Sequence, residues 1–200
     1  MRQILKVFLM VGLGLGISVN SHAFFTPLSL NLAPPVQFPP EDYSITGARL
    51  SLLWGKHRDV YGIDLGVLGN ITEQDFVGVG LSGLFNSTKG STTIIGLQAA
   101  GVANVNSGKT SVYGLQLALA MNYNTAEATI AGLQVAMANV SEHSTIYGAQ
   151  LGVYNRADTV YGFQIGIVNS TKNLHGIQLG LMNFNDSGPF KISPFLNVGF

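Results

Sequence analysis

The sequence predicts an all-β fold, an up-and-down antiparallel transmembrane β-barrel of about ten strands. Three observations predict it: a glycine-centred repeat that returns nine times, the strand periodicity of each copy, and a bulky strand face without charge. Only 10% of the residues are charged, against about 25% in ordinary soluble domains, whereas 46% are hydrophobic. Beyond the N-terminal segment no run approaches the roughly 18 apolar residues of a membrane helix. A membrane-resident chain would therefore have to cross with strands.

Residues 1–23 have the features of a secretory signal peptide. Arg2 and Lys6 form a basic start, an apolar run covers residues 4–19, and residues 21–23 (Ser-His-Ala) offer a small-x-small cleavage site. A transmembrane anchor is the alternative, but the run is short for one. We expect export across a Gram-negative inner membrane, cleavage after residue 23, and a Pro-rich segment over residues 24–44.

Composition excludes several classes of site. The chain has no cysteine, which excludes a lipoprotein anchor, a disulfide framework and a thiolate metal site. Past residue 23 there are eight Lys and Arg against ten Asp and Glu, a formal charge of −2. Nucleic acid is therefore not an expected partner, because binding it requires a basic face.

The repeat domain covers residues 45–200, and its copies align on one glycine. The clearest copies are VYGIDLGVLGN (60–70), IIGLQAAGVAN (94–104), IAGLQVAMAN (130–139), IYGAQLGVYN (146–155), VYGFQIGIVN (160–169) and LHGIQLGLMN (174–183). The leading glycines, 14 to 18 residues apart, are Gly47, Gly62, Gly78, Gly96, Gly114, Gly132, Gly148, Gly162 and Gly176. Period-two alternation predicts one strand of about ten residues per copy. Its small and polar face carries residues such as Gln164, and its bulky face carries residues such as Phe163.

Nine repeats and a final strand over residues 190–200 make ten strands, an even number as bacterial barrels require. Four tyrosines open strands on the bulky face, and in a meander they would form interfacial aromatic girdles: Tyr61, Tyr113, Tyr147 and Tyr161. The last strand ends on Phe200 and resembles the C-terminal signature strand that the outer-membrane assembly machinery reads. Phe200 is therefore the predicted assembly signal.

A parallel β-solenoid, with one repeat per coil, is the alternative architecture. It explains why the connections do not alternate between short and long, as barrel loops usually do. Against it, one long strand dominates each repeat and leaves little chain for a return path.

A polar belt is predicted along the small face, consisting of Arg49, Asp64, Gln98, Gln116, Gln134, Gln150, Gln164 and Gln178. The belt either lines a narrow water path or forms a packed polar core without conduction. A hairpin that turns at residues 56–57 would set Arg49 opposite Asp64. The pair is then either a structural ion pair or a constriction that selects solutes by charge.

The pattern G-x-Q-[aliphatic]-G-x-x-N, clearest over 148–155, 162–169 and 176–183, resembles a family of exported bacterial surface-repeat proteins, predicted outer-membrane β-barrels. The resemblance covers nearly all of the chain after residue 23. It implies a cell-envelope location and brings no established catalytic motif. The first three copies depart from it, with Arg49, Asp64 and Gly80 at the glutamine position.

Catalytic and cofactor chemistry is not expected. His57 and His143 are predicted in turns and His175 at a strand margin, without metal-ligand spacing, and no nucleophile elbow is present. The expected function is a non-enzymatic outer-membrane barrel, pore-forming (porin-like) or envelope-structural. The alternative is a surface or periplasmic solenoid that acts as an interaction protein; an outer-membrane enzyme is a distant third. Expected partners are outer-membrane lipid and the assembly machinery, and a homo-oligomer is left open.

Overall fold

The computed structural model describes residues 24–200, so the predicted signal peptide lies outside the described residues. The chain forms eighteen β-strands. They are β1 (Phe25–Ala33), β2 (Val36–Phe38), β3 (Ser44–Ser51), β4 (Trp54–His57), β5 (Val60–Gly66), β6 (Gly69–Thr72), β7 (Phe76–Ser82), β8 (Phe85–Lys89), β9 (Thr92–Ala100), β10 (Ala103–Ser107), β11 (Thr110–Ala118), β12 (Met121–Asn124), β13 (Ala128–Val135), β14 (Ala138–Ser141), β15 (Ser144–Leu151), β16 (Tyr154–Ile165), β17 (Val168–Asn185) and β18 (Ile192–Gly199).

The repeats stack in parallel, one coil upon the next. In the long strands, Gly114 of β11 aligns with Gly96 of β9 on one side and with Gly132 of β13 on the other. In the short strands, Asn122 of β12 aligns with Asn104 of β10 in the same way. Each repeat is therefore one coil of a parallel β-solenoid of about ten turns.

The predicted antiparallel barrel is wrong, and the transmembrane-barrel and porin-like interpretations are wrong with it. Period-two alternation determines which side chains share a face, but it does not determine the direction of the neighbouring strand. The predicted ten-residue strands are also wrong, because each bends into a long and a short strand. Strand β9 ends at Ala100 and β10 begins at Ala103, so Gly101 and Val102 turn the chain. The short strand that follows this turn is the return path of the coil.

Every coil has two corners. The apolar corner joins a long strand to the following short strand; its outermost side chains are Leu52, Val67, Leu84, Val102, Leu119, Met137, Val153, Ile167 and Leu181. The polar corner returns the chain from a short strand to the next long strand, for example through Arg58-Asp59 and Glu73-Gln74-Asp75. The long strand of about eight residues separates the two corners by roughly 26 Å.

The interior contains one aliphatic row and several polar rows. The aliphatic row follows the polar corner and includes Ile45, Val60, Phe76, Ile94, Val112, Ile130, Ile146, Val160 and Leu174. Towards the apolar corner the interior is filled by amides, among them Gln116 and Asn122, both fully buried. Phe76 is the one aromatic member of this otherwise aliphatic row, and its ring lies where a Cβ on Gly80 would point. This explains why Gly80 stands at the glutamine position.

The leading glycine is required by close backbone approach. Gly114 has a φ of 143°, and a Cβ there would clash with the carbonyl oxygen of Gly96 in the coil below. An L-residue avoids this φ region, whereas glycine occupies it readily.

Both ends of the column are capped. Strand β1 pairs in parallel with β3 and antiparallel with β2. Strand β18, within the predicted final strand at 190–200, pairs antiparallel with β17. It closes the solenoid and does not complete a barrel.

Candidate interaction surface

The apolar corner is exposed along the whole column. The exposed fraction is 75% for Leu119, 63% for Met137 and 60% for Val67. Solvent-exposed turns normally carry Gly, Asn, Asp and Ser, so nine successive turns with a large aliphatic side chain or Met at the tip need an explanation beyond turn formation.

Of the two outer faces beside this corner, that of the long strands is apolar and that of the short strands is mixed. On the long strands, Leu65, Leu115 and Ile165 point outwards and are exposed. On the short strands, Tyr123 and Val140 point outwards and are partly exposed. Lys56 and Arg156 belong to the same outward row as Tyr123 and Val140. The corner and the outer face of the long strands, by contrast, carry no Asp, Glu, Lys or Arg in the described residues, and we call them the apolar wedge.

An open groove of about 1010 Å³ runs along the wedge beside coils one to six. It exists because Gly83 and Gly101 leave a gap at the corner between the larger Val67 and Leu119. Its lining is mostly aliphatic, with a few polar members such as Ser82.

Most charged side chains lie towards the polar corner. Of the eighteen charged residues in 24–200, all except Arg49 and Asp64 lie in the polar corner or within two residues of a turn there. Several pair with one another: Lys172 Nζ lies 2.7 Å from Asp158 Oδ2, and Lys56 Nζ lies 2.9 Å from the carboxylates of both Glu41 and Glu73. The hydrogen bonds that Lys56 donates to Glu41, the larger effect, and to Glu73 raise the pKa of Lys56.

The backbone at the apolar corner is hydrogen-bonded from coil to coil. The N–H groups of Val102, Met137 and Val153 donate to corner carbonyls one coil below, at 2.8, 3.2 and 2.9 Å. A buried asparagine row supports the corner from inside. Asn122 Nδ2 donates to the carbonyl of Val135, the last residue of the next long strand, at 3.2 Å.

The same asparagines bond to one another. The row is Asn70, Asn86, Asn104, Asn122, Asn139, Asn155, Asn169 and Asn183, and each Nδ2 up to that of Asn169 donates to the next Oδ1 at 2.8 to 3.3 Å. Sequence reasoning missed this row, although a signal was present. Gln150 and Asn155 are five residues apart, so on one straight strand they would face opposite sides. That both are buried requires a bend between them.

The predicted belt glutamines line the solenoid interior, where packed amides replace the predicted barrel lumen. Their Nε2 groups donate in the reverse sense, each to the Oε1 of the preceding glutamine, at 2.7 to 3.0 Å from Gln116 through Gln178. Such buried amide chains are stabilised because each bond polarises the next.

Arg49 and Asp64 come together, but by parallel stacking and not in the predicted hairpin. They occupy the same register position of β3 and β5. Arg49 Nη2 lies 2.6 Å from Asp64 Oδ2, and both side chains are almost fully buried. The geometry is that of a structural ion pair within the column.

His57 is predicted in a turn, and that prediction is wrong: His57 is the buried last residue of β4. Its Nε2 lies 3.2 Å from the carbonyl oxygen of Pro39, to which it donates. Nδ1 has no partner. Burial, reinforced by the positive charge of Arg49, lowers the pKa of His57 to about 4.

The four predicted interfacial tyrosines occupy one outer row of the long strands, beside the polar corner. Tyr61, Tyr113, Tyr147 and Tyr161 each precede a leading glycine. The Tyr147 and Tyr161 rings stack with centroids 5.0 Å apart, and His175 continues the stack at 4.5 Å. Because the coils stack in parallel, these tyrosines lie at the same distance from the apolar corner in each coil, between the corner and the charged groups. Phe200 is exposed beyond the end of β18, and its role as an assembly signal stays a prediction.

No protein-family model, curated protein or solved structure matches this chain. Over residues 24–200, no three His, Asp or Glu side chains gather into a group that could hold a metal ion. In the same range no helix is long and apolar enough to span a membrane.

Proposed function

We propose that the chain is an exported, non-enzymatic interaction protein of the Gram-negative cell envelope, a solenoid that binds its partner through an exposed surface. The observation that carries this proposal is the apolar wedge. Monomeric proteins seldom expose contiguous apolar patches beyond about 300 to 600 Å². The outer long-strand face alone, about 43 Å of stacked coils by about 20 Å of strand, approaches 900 Å².

A binding role also agrees with the distribution of polar groups. The buried amides bond to one another, Arg49 pairs with Asp64, and several of the outer charges form ion pairs near the polar corner. Catalysis would need polar groups that converge on a cleft, whereas the open groove beside the apolar corner is mostly aliphatic. The resemblance to exported surface-repeat proteins and the signal peptide support the envelope location.

Cell fractionation tests the proposal. The full-length chain, expressed in a Gram-negative host and followed by antibody, should appear in the envelope after processing near residue 23. A matched variant with Leu9→Arg and Leu13→Arg, which interrupts the apolar run of the signal, should remain in the cytoplasm. Cytoplasmic accumulation of the unmodified chain would refute the proposal.

A further inference from the structure

We propose that the partner is lipid: the apolar corner inserts into the hydrocarbon of one bilayer leaflet, with the solenoid axis parallel to the membrane surface. This inference rests on the proposed function, since it names the partner of the same surface. Leu119 and Met137 lie at the most exposed tips of the corner, and every other coil has an exposed Leu, Ile or Val at or beside the same position.

The hydrogen bonding of the corner favours hydrocarbon as its environment. In lipid, an exposed N–H or C=O group without a partner is costly, so only backbone that is satisfied internally can enter. At the apolar corner the amides of Val102 and Met137 bond to the neighbouring coil. From the interior of the column, asparagines such as Asn122 donate hydrogen bonds to carbonyl groups at the ends of the long strands. The corner thus meets a requirement that a water-exposed turn need not meet.

The charge distribution sets the orientation. Most outer charges lie at the polar corner, roughly 26 Å from the apolar corner along the long strand. Lys56 and Arg156 lie closer, about 10 to 13 Å along their short strands from Leu52 and Val153. Immersion of the tips and the adjoining long-strand face therefore leaves the charged groups in water. The tyrosine row, with Tyr147 stacked on Tyr161, lies between the two regions. Aromatic residues with one polar end favour that level of a bilayer.

Lipid fits the wedge better than a second copy of the chain does. The apolar wedge is convex, because it runs from the long-strand face, exemplified by Leu115, around the tips of the corner, exemplified by Leu119. A flat two-fold contact would cover the face and leave the tips exposed. Protein interfaces also carry about one hydrogen bond per 100 to 200 Å², and the wedge offers almost only hydrocarbon.

Vesicle flotation tests the inference. The full chain, purified from the cell envelope, is mixed with phosphatidylcholine vesicles, with or without anionic phosphatidylglycerol, at low and high salt. We expect flotation with both compositions and little effect of salt, because the described chain carries a net charge of −2 and is not drawn by anionic headgroups. Leu119→Asp with Met137→Asp should lower the bound fraction at least about tenfold, since carboxylates enter hydrocarbon at high cost.

The matched control places the same charges on the other side. Ser107 and Thr129 are exposed near the polar corner, so Ser107→Asp with Thr129→Asp should float like the unmodified protein. Because the chain has no cysteine, Leu119→Cys and Thr129→Cys each accept one environment-sensitive fluorophore. Vesicles should shift the emission to the blue for the first variant only.

Three outcomes would overturn the inference: no flotation with either vesicle, equal flotation of the Leu119/Met137 variant, or a blue shift at both labelled positions. A stable dimer that the Leu119/Met137 variant dissociates, without vesicle binding, would assign the wedge to a second copy. If the inference is overturned, or a dimer is found, while the protein is still in the envelope fraction, the proposed function is not contradicted. A cytoplasmic protein would instead remove the proposed function itself.

Discussion

The guanidinium of Arg49 and the carboxylate of Asp64 form a two-pronged ion pair between adjacent coils, with Nε to Oδ1 at 2.7 Å and Nη2 to Oδ2 at 2.6 Å. Arg49 Nη1 also donates to the carbonyl of Ile71 at 2.8 Å, so the guanidinium of the first coil is held by both strands of the second coil, β5 and β6. The pair is closed off from water, which makes each charge dependent on the other.

Removing one partner should therefore cost more than removing both. Asp64→Leu leaves a buried guanidinium without a counter-charge and should lower the free energy of unfolding by about 3 to 5 kcal/mol. Arg49→Met combined with Asp64→Leu should recover more than half of that loss, because no charge remains buried. Denaturant unfolding of both single variants and the double variant measures the coupling; additive losses would contradict an interdependent pair.

Interruption of the glutamine row should be costly in the middle and milder at the end. Gln134→Leu leaves Gln116 Oε1 and Gln150 Nε2 without partners, at about 1 to 3 kcal/mol for each orphaned group. Gln98→Leu, the matched control, removes only the acceptor for Gln116, so its loss should be about half as large. Equal midpoints in urea for the two variants would show that the row contributes nothing through its continuity.

The asparagine row should stabilise the apolar corner. Asn122→Ala removes donors to the carbonyls of Gln116 and Val135 and to Asn139 Oδ1. We expect a loss of at least about 3 kcal/mol in the free energy of unfolding. Asn173→Ala, at an exposed site, should stay within about 0.5 kcal/mol of the unmodified protein. A small effect at Asn122 would mean that the corner carbonyls find other partners.

The leading glycine should not tolerate alanine. Gly114→Ala introduces a Cβ that clashes with the Gly96 carbonyl, at a φ that L-residues avoid, and should destabilise by more than about 1 to 3 kcal/mol. Gly80→Ala contacts only the ring of Phe76, at 2.9 Å, and should cost less because a side chain can shift. Thermal unfolding followed by circular dichroism compares the two, and the reverse ranking would contradict the stacking register.

Stability should fall in mild acid because of His57. Its folded pKa of about 4 lies below the unfolded value of about 6.5, so between these pH values the unfolded chain binds a proton that the folded chain does not. The free energy of unfolding should thus decrease by up to about 3 kcal/mol as pH falls from 6.5 to 4, and this contribution should level off below. Denaturant unfolding of His57→Gln should lack that part of the pH slope, whereas an unchanged slope would assign it to the carboxylates.

Side-chain facing could be predicted from the sequence, and strand pairing could not. Alternation alone places Gln164 inside and Phe163 outside, and the structure agrees, since Gln164 is buried and Phe163 exposed. Either fold satisfies that pattern, because a barrel and a solenoid both separate an inner from an outer face. The deciding information lies in the odd spacing between Gln150 and Asn155, which a straight strand cannot reconcile with two buried amides.

The Arg49–Asp64 contact shows the same limit. A hairpin about residues 56–57 and a parallel stack with a spacing of 15 residues both bring these side chains together. The contact was therefore predictable while the reason for it was wrong. The apolar wedge was visible as a bulky face without charge, but its curvature around a corner depends on the bend after each long strand.

All seven prolines of the chain lie outside the coils of the repeat, in the two capping regions: Pro27, Pro34, Pro35, Pro39, Pro40, Pro189 and Pro194. A coil interior has no place for them, because its N–H groups are consumed by the next coil. At the ends of the stack the missing N–H group of proline is favourable, because a parallel edge strand with unpaired backbone N–H groups is a template for fibril growth. Strand β18 reverses direction, and Asn197 Nδ2 occupies Gln178 Oε1. The stack of coils is therefore capped at both ends, and the caps protect it from end-to-end association with other copies.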